Sequence, residues 1–351
     1  MRTSPIEICL TKLALFYLSC DPIRVNPLYI REIRVAKIRV AKMNEPTSPF
    51  WHIIVNPAAA GGSVQKRWPQ IEQLLQDMGF SYSVYFTEYR GHATRLAEDA
   101  LLKGGRYILG IGGDGTNHEI ANGILGQSFV PSSEVNYALL PVGTGNDWAR
   151  QYGISAAPQE RLEKLKAQQT VFQDAGMVEY VAEGETRKRY FINVAGMAYD
   201  GFIGKKLTER PAQNRLHYLL MVAQYLMEYR LTAAKISFDG QTVEDKFYTI
   251  NIGLCRYSGG GMQLAPHAVP DDGLFALTYA GQLSKAEVLL QTPRFYNGTL
   301  LEHPKVGSAQ VRSLLVEQTG DSPTLLEADG EFLGETPAVF TLLEKALKVV
   351  L

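Results

Sequence analysis

The sequence predicts an α/β protein: an N-terminal Rossmann-like domain with a parallel sheet and helices on both faces, followed by a C-terminal antiparallel, β-sandwich-like domain. Three observations predict it. From Phe50, short apolar runs alternate with segments of helical spacing; each of the first four runs ends in a polar or glycine-rich turn; and after Gln168 short strand-like runs bounded by glycines and polar turns take over. Strands separated by helices pair in parallel and are covered on both faces. Serial strands with polar turns pair antiparallel.

In order, Trp51–Val55 is a strand, Val64–Met78 a helix, Ser83–Phe86 a strand, Ala93–Leu102 a helix and Arg106–Ile111 a third strand. A helix follows over Asn117–Leu125, and Tyr137–Leu140 is the fourth strand, ending in the turn Pro141–Asp147. Later strands are expected over Phe172–Tyr180, Arg189–Asn193, Lys235–Phe238, Phe247–Leu254, Leu274–Tyr279 and Ala309–Val316. One helix interrupts them, Arg215–Leu231. It is apolar almost all round and reads as core, or as the wall of an acyl-chain groove in which Met221 and Met227 adapt to varied chains. The domain boundary falls near residue 170, giving domains of 44–170 and 171–339, with 340–351 a strand that returns to the first.

The chain has 351 residues, 46% hydrophobic and 20% charged, with a net charge of −1. That gives room for two cores and no basic excess pointing to nucleic acid. Cys9, Cys20 and Cys255 show no metal-ligand spacing and read as free thiols in a reducing compartment. Residues 1–43 differ from the rest: eight Lys/Arg against three acids make them +5 and leave −6 on the remainder. Their apolar stretch Ile8–Cys20 is too short for a membrane span and carries Lys12. Ile33–Lys37 is repeated at once as Ile38–Lys42, ahead of Met43. The expectation is translation from Met43, with the extension disordered or not made. The alternative is a basic arm for anionic lipid.

The chemistry gathers at the ends of the first four strands, where ligands of parallel sheets bind. Asn56 follows the first strand, Thr87 the second, Gly112-Gly113-Asp114-Gly115-Thr116 the third and Thr144 the fourth. A glycine turn that opens a helix aims free N–H groups at an anion. Asp114 repels that anion unless Mg²⁺ bridges them or the acid contacts something other than phosphate, which suggests a nucleoside triphosphate with a metal. Gly110, Gly112 and Gly115 also satisfy the dinucleotide fingerprint, with Glu134 further on, but on the third strand rather than the first. Gly61 and Gly62 with Lys66 or Arg67 form a second small-residue loop, which is not a Walker A loop. In Pro141–Asp147, Thr144 and Asn146 suit the cleft, while Asp147 alternatively caps the next helix. Asp329–Glu331 offers a carboxylate base or, alternatively, a hairpin turn.

These motifs, with Gly259–Met262, Ala265-Pro266, Asp271–Leu274 and Ala328–Glu331 in that order, resemble the diacylglycerol-kinase-like lipid kinases of bacteria, related to sphingosine and ceramide kinases and more distantly to NAD kinases. The resemblance runs from about residue 50 to the C-terminus. It implies an ATP-binding domain, a β-rich lipid-substrate domain and an active site between them, with diacylglycerol the leading acceptor. Asn56, Thr87, Gly112, Gly113, Asp114, Gly115, Thr116, Asn117, His118 and Thr144 would bind ATP. The Asp272 side chain with the carbonyls of Val269 and Leu274 would hold a structural Mg²⁺. Glu331 would be the general base, with Asp329 as rival. His118 departs from the family pattern, in which asparagine often precedes the glutamate. The resemblance also implies a cytoplasmic enzyme in reversible contact with the inner membrane leaflet, and a homodimer is compatible with it. The rivals are an NAD kinase-like phosphotransferase, an NAD(P)-binding Rossmann oxidoreductase and a non-catalytic nucleotide-binding regulator.

Overall fold

A computed structural model describes residues 49–210 and 215–351. The basic extension, the Met43 start and two of the three cysteines lie outside the described residues.

The first lobe interleaves β1 (Phe50–Val55), α1 (Ala59–Asp77), β2 (Ser81–Phe86), α2 (His92–Leu102), β3 (Tyr107–Gly112), α3 (Asp114–Gly126), β4 (Asn136–Pro141), α4 (Asp147–Gln151) and α5 (Pro158–Ala167). Its strands pair in parallel in the order β2-β1-β3-β4. Alternate residues of each strand point to opposite faces. Ile53, Val55, Leu109, Ile111 and Leu140 therefore pack with α1 and α5. Ile54, Ile108, Tyr137 and Leu139 pack with α2 and α3 on the other face. With both faces buried the strands read as apolar runs, which is why they were visible in the sequence.

The second lobe is antiparallel. It comprises β5 (Thr170–Ala182), β6 (Glu185–Phe191), β7 (Val194–Ala198), α6 (Tyr199–Glu209), α7 (Arg215–Glu228), β8 (Thr232–Phe238), β9 (Gln241–Phe247), β10 (Thr249–Gly253), β11 (Tyr257–Ser258), β12 (Met262–Gln263), β13 (Phe275–Ala280), α8 (Lys285–Asn297), β14 (Val306–Val311), β15 (Ser313–Gln318), β16 (Leu325–Ala328) and β17 (Glu331–Val350). One layer runs β14-β13-β10-β7-β16, the other β6-β5-β17-β15-β8-β9. Phe275 from the first stacks on Phe191 from the second at 5.7 Å between ring centres, and Phe340 meets Phe191 edge-on at 6.2 Å. The single strand expected over Ala309–Val316 is two, β14 and β15, because these pair with different layers and the chain crosses over at Arg312.

The strand β17 joins everything. It starts at Glu331 against β16, continues along β15 and β5, and ends in parallel with β4, Lys348 opposite Asn136. Arg161 of α5 clamps that junction from the core, donating to Leu139 O (2.8 Å) and Val350 O (2.7 Å). Burial lowers its pKa to about 10, so it stays charged at neutral pH.

Candidate active site

Loops at the strand ends of the first lobe form one wall of the cleft. After β1, Asn56 donates to Thr116 Oγ1 at 2.9 Å and accepts from Ala58 N at 3.1 Å, which ties this loop to the glycine turn. Ala60, Gly61 and Gly62 then run through left-handed φ values of 50°, 64° and 83° before the regular helix begins. Successive amides in such a conformation form an anion-binding concavity. The turns after β3 and β4 touch through glycines: a Cβ on Gly143 would stand 2.8 Å from Gly113 Cα. Asp114 bridges the same two turns, its Oδ2 accepting from Asn146 N at 2.8 Å. Thr87, Thr144 and residues 113–116 line the cleft with Asn56.

Several of the residues expected here stand elsewhere. Asn117 is buried and accepts from Tyr137 OH at 2.5 Å. His118 is also buried: Arg189 Nε donates to its Nε2 at 3.0 Å, and its Nδ1 lies 2.9 Å from Asp329 Oδ2. A guanidinium only donates, so the network assigns the proton to Nδ1, which donates to Asp329. Helix geometry places both on the face of Asp114 but one turn further along α3, beneath the cleft, where Tyr137, Asp329 and Arg189 take up their side chains. Asn146 closes its own turn by donating to Gly143 O at 3.1 Å, and Asp147 accepts from Gly260 N at 2.7 Å across the cleft. Lys66 is exposed on α1 and Arg67 donates to Ala156 O, so neither supplies a counter-charge to the cleft. Gly110 of the dinucleotide fingerprint sits inside β3, where its bareness makes room for Ile120, and Glu134 is exposed.

The two rival carboxylates have different surroundings. Asp329 and Gly330 form the left-handed hairpin turn between β16 and β17 (φ 52° and 88°). The Asp329 side chain, 4% exposed, accepts from Asn193 N (2.9 Å), Ile192 N (3.1 Å) and His118. Its oxygens are committed to holding the turn. Glu331, 29% exposed, projects into the cleft over the glycine turn, so that a Cβ on Gly115 would lie 3.1 Å from its Oε1. Its other oxygen pairs with Arg90, from the loop after β2.

Three adjoining cavities follow. A polar one of about 590 Å³ lies over the glycine turn and includes Arg90, Glu119 and Glu331. A central one of about 650 Å³ shares Ala60, Asp114 and Thr144 with it and adds Asp147, Asp200, Glu327 and Asp329; among the described residues no Lys, Arg or His lines it, and Arg150 Nε stands 3.9 Å from Asp147 behind it. An apolar one of about 520 Å³ shares Asp200, Ile203, Met262 and Leu264 with the central cavity and runs between α6, α7 and α8. From α7 it takes Val222, Ala223 and Leu226, whereas Met221 is in the core and Met227 faces outward. Asp200 and Glu327 meet beside Gly196, where a Cβ would come within 2.6 Å of both side chains. Thr249 donates to Asp200, and Gly330 N donates to Glu327 at 2.7 Å. Burial pushes Asp200 up to about 6, and burial with the nearby Asp200 charge pushes Glu327 well above the usual carboxylate range.

Sequence reasoning did not single out Arg90, Asp200 or Glu327. Asp200 had a local signal, as a carboxylate directly between the apolar run Val194–Tyr199 and Gly201.

Two places suit a divalent cation. Asp114 is pushed up to about 6 by burial and then by the Asp147 charge, and its Oδ1 has no hydrogen-bond partner among the described residues. A buried acceptor without a partner, on a residue that lines both cavities, fits a hard cation. The turn Val269–Leu274 lies outside the three cavities. There Asp272 Oδ1 accepts from Leu274 N at 3.0 Å, and the Asp272 and Glu344 charges help to raise the pKa of Asp174 after burial. Among the described residues no three or more His, Cys, Asp or Glu converge on a metal-sized site, so an ion at this turn would draw on backbone carbonyls as well.

Comparison with known proteins gives a consistent picture. A family profile described as diacylglycerol kinase catalytic domain matches residues 51–178, and one described as YegS C-terminal NAD kinase beta sandwich-like domain matches 194–351. A diacylglycerol kinase of Bacillus subtilis (strain 168) is 30% identical over 305 residues, covering 85% of this chain and 95% of that protein. One from Staphylococcus carnosus (strain TM300) is 27% identical over 306 residues, covering 85% and 93%. A crystal structure of a diacylglycerol kinase from Bacillus anthracis str. Sterne superposes with a TM-score of 0.66 at 21% identity, covering 87% of this chain and 98% of that one.

Proposed function

Because this chain belongs to the diacylglycerol kinase family, we propose that it transfers the γ-phosphate of ATP to the hydroxyl of a membrane lipid, diacylglycerol foremost, with Glu331 as general base. It is a lipid kinase of the diacylglycerol-kinase type. The observation that carries the detailed reading is the run of three adjoining cavities, polar, acidic and apolar, with the turn Asp329–Glu331 at the junction of the first two.

ATP belongs in the polar cavity, its phosphates on the amides of Ala60 and Gly61 and on the α3 N-terminus, with Arg90 as the cation at hand. Mg²⁺ held by Asp114 would neutralise charge on the transferring phosphoryl group. A second Mg²⁺ at Asp272 and the carbonyls of Val269 and Leu274 would brace the fold outside the cleft. Glu331 accepts the proton of the lipid hydroxyl as the new oxygen–phosphorus bond forms and the bond from the γ-phosphorus to the bridging oxygen breaks, releasing ADP. Asp329, held by three donors, fixes the turn that aims Glu331.

The acceptor lies across the other two cavities. Leaving acyl chains in water is unfavourable by about 0.8 kcal/mol per CH₂, and the apolar cavity between α6, α7 and α8 removes part of that surface from water. The head of the lipid then reaches Asp200 and Glu327. A protonated carboxyl donates to a hydroxyl and a neighbouring carboxylate accepts from one, while an anionic headgroup meets like charge. The acceptor is therefore a neutral lipid alcohol, with the membrane contact such a substrate requires. Among the described residues no helix is long and apolar enough to cross a membrane.

The test is transfer of label from radiolabelled ATP to a panel of extracted lipids, with NAD alongside. A labelled neutral lipid is expected, lost in Glu331→Gln. Label on NAD and on no lipid would sink the reading.

A further inference from the structure

The apolar cavity opens between two helices whose outer faces are themselves apolar. On α7, Leu220, Ala223 and Met227 fall three and four residues apart on one face, Leu220 being 61% and Met227 62% exposed. The other face of this helix is buried through Met221, Tyr225 and Leu226. On α8, Leu289, Thr292 and Tyr296 make the matching stripe, with Leu290 beside it at 76% exposure. Ala223, Leu289, Thr292 and Tyr296 also line the cavity, so the two stripes are its lips. Lys285 of α8 donates to Met227 O and ties the helices together at one end of the opening. Neither stripe contains an acid, and the adjacent Glu228 is drawn aside by Lys206 at 3.8 Å.

A contiguous exposed apolar patch marks a surface that another body covers. A protein seated over these lips would stopper the cavity, whereas a bilayer seated there would feed it. We propose that the outer faces of α7 and α8 dock on the membrane that carries the substrate. Leu220, Met227 and Leu290 enter the boundary between headgroups and acyl chains, and the acceptor lipid passes between the helices into the cavity. This rests on the lipid-kinase reading and identifies the entrance that it needs. Shallow insertion of one apolar face is the geometry of an interfacial helix, doubled here by a second helix. The lipid thus stays in apolar surroundings from bilayer to cavity.

The full chain is tested with Leu220, Met227 and Leu290 each changed to Ser in one variant; none of the three lines a cavity. Cosedimentation with phosphatidylcholine vesicles is expected to fall about tenfold or more, as is kcat/KM for long-chain diacylglycerol presented in those vesicles. Turnover of a short-chain diacylglycerol kept monomeric in solution should stay within about twofold. In a second variant, Leu290→Trp, the added tryptophan should shift its emission to the blue when vesicles are supplied. Unchanged vesicle binding in the triple variant overturns the proposal, as does emission at position 290 that vesicles do not move. So does a shift from dimer to monomer with vesicle binding intact, which would make the face a contact with a second copy of the chain. If the unmodified protein phosphorylates neither short-chain nor vesicle-borne acceptor, the kinase reading fails, while vesicle binding and the tryptophan still decide the docking face.

Discussion

The two walls of the cleft are built on opposite plans. The first-lobe wall is mostly backbone: tight turns at the ends of parallel strands, stripped of side chains where Gly113 meets Gly143. The second-lobe wall is mostly carboxyl groups, Asp200, Glu327, Asp329 and Glu331, brought from segments more than 120 residues apart. Amides at a helix start are pre-oriented for phosphate with little help from side chains. A hydroxyl that must be found, aimed and deprotonated needs side chains of chosen protonation, and a buried network sets that state. On the proposed reading, the donor is therefore recognised locally and the acceptor by convergence.

The largest effect should fall where the plans meet. Glu331→Gln is expected to lower kcat by about 10²- to 10⁴-fold, with the thermal midpoint and the KM for ATP little changed. Asp329→Asn places an amide donor among three donors, which weakens the fold by about 1–3 kcal/mol. Its main signature is a lower denaturation midpoint. If the two signatures were exchanged, the assignment of base and brace would be reversed.

Gly115→Ala tests how closely the two walls approach. The added methyl would stand 3.1 Å from Glu331 Oε1, and displacement of a catalytic group by even about 1 Å can reduce the rate about 10²-fold. Steady-state kinetics should show a fall in kcat of about ten- to a hundredfold, with nucleotide binding by calorimetry largely preserved. Normal turnover would show that the walls move independently.

Asp200→Asn separates the acidic wall from the rest. A carboxyl whose folded pKa is raised holds its proton in the folded protein at pH values where the unfolded chain has released it. Its contribution to stability is present at low pH and is lost as pH rises to about 6. The variant should therefore gain stability relative to the parent between about pH 4 and 6, by roughly 3 kcal/mol at the plateau. Denaturation midpoints across that range measure it, and a flat difference would remove the buried proton from the account. With one negative charge gone, the variant should also accept anionic lipid alcohols better than the parent does.

The smallest effect is expected at Arg90. It is exposed and its ion pair with Glu331 is worth little to the fold, so Arg90→Ala should leave the thermal midpoint unchanged. The KM for ATP should rise several-fold, roughly what one charge-assisted contact supplies. An unchanged KM would take Arg90 out of the donor side.

The same contrast explains what could be read in advance. Gly112–Thr116 and Asn56 announced themselves because a strand, a turn and a helix start are contiguous in the chain. Asn117 and His118, expected on the ligand, share the face of Asp114 but lie one helical turn deeper, where Tyr137 and Asp329 take their side chains, and that depth depends on what packs over α3. The doublet Asp329 and Glu331 stands out in the sequence, but not the difference in surroundings, which depends on Ile192, Asn193 and His118 lying beside one member only. The helix over Arg215–Leu231 had been read as core or as groove wall. The helix runs Arg215–Glu228, with Met221 and Tyr225 buried and Val222, Ala223 and Leu226, rather than the two methionines, lining a cavity.

By itself, the sequence determined the parallel first lobe, the strand-end turns and the change to antiparallel pairing, because periodicity and glycine placement act over a few residues. Tertiary structure alone decided that one continuous strand, β17, carries the chain from Glu331 in the cleft to the end that returns to the first lobe, that Asp200 and Glu327 meet beside Gly196, and that α7 and α8 frame an open cavity. Those relations join residues from about 130 positions apart, as Gly196 and Glu327, to more than 200, as Asn136 and Lys348. Their side chains acquire a protonation state, a partner or a vacancy only once packing has removed the water between them.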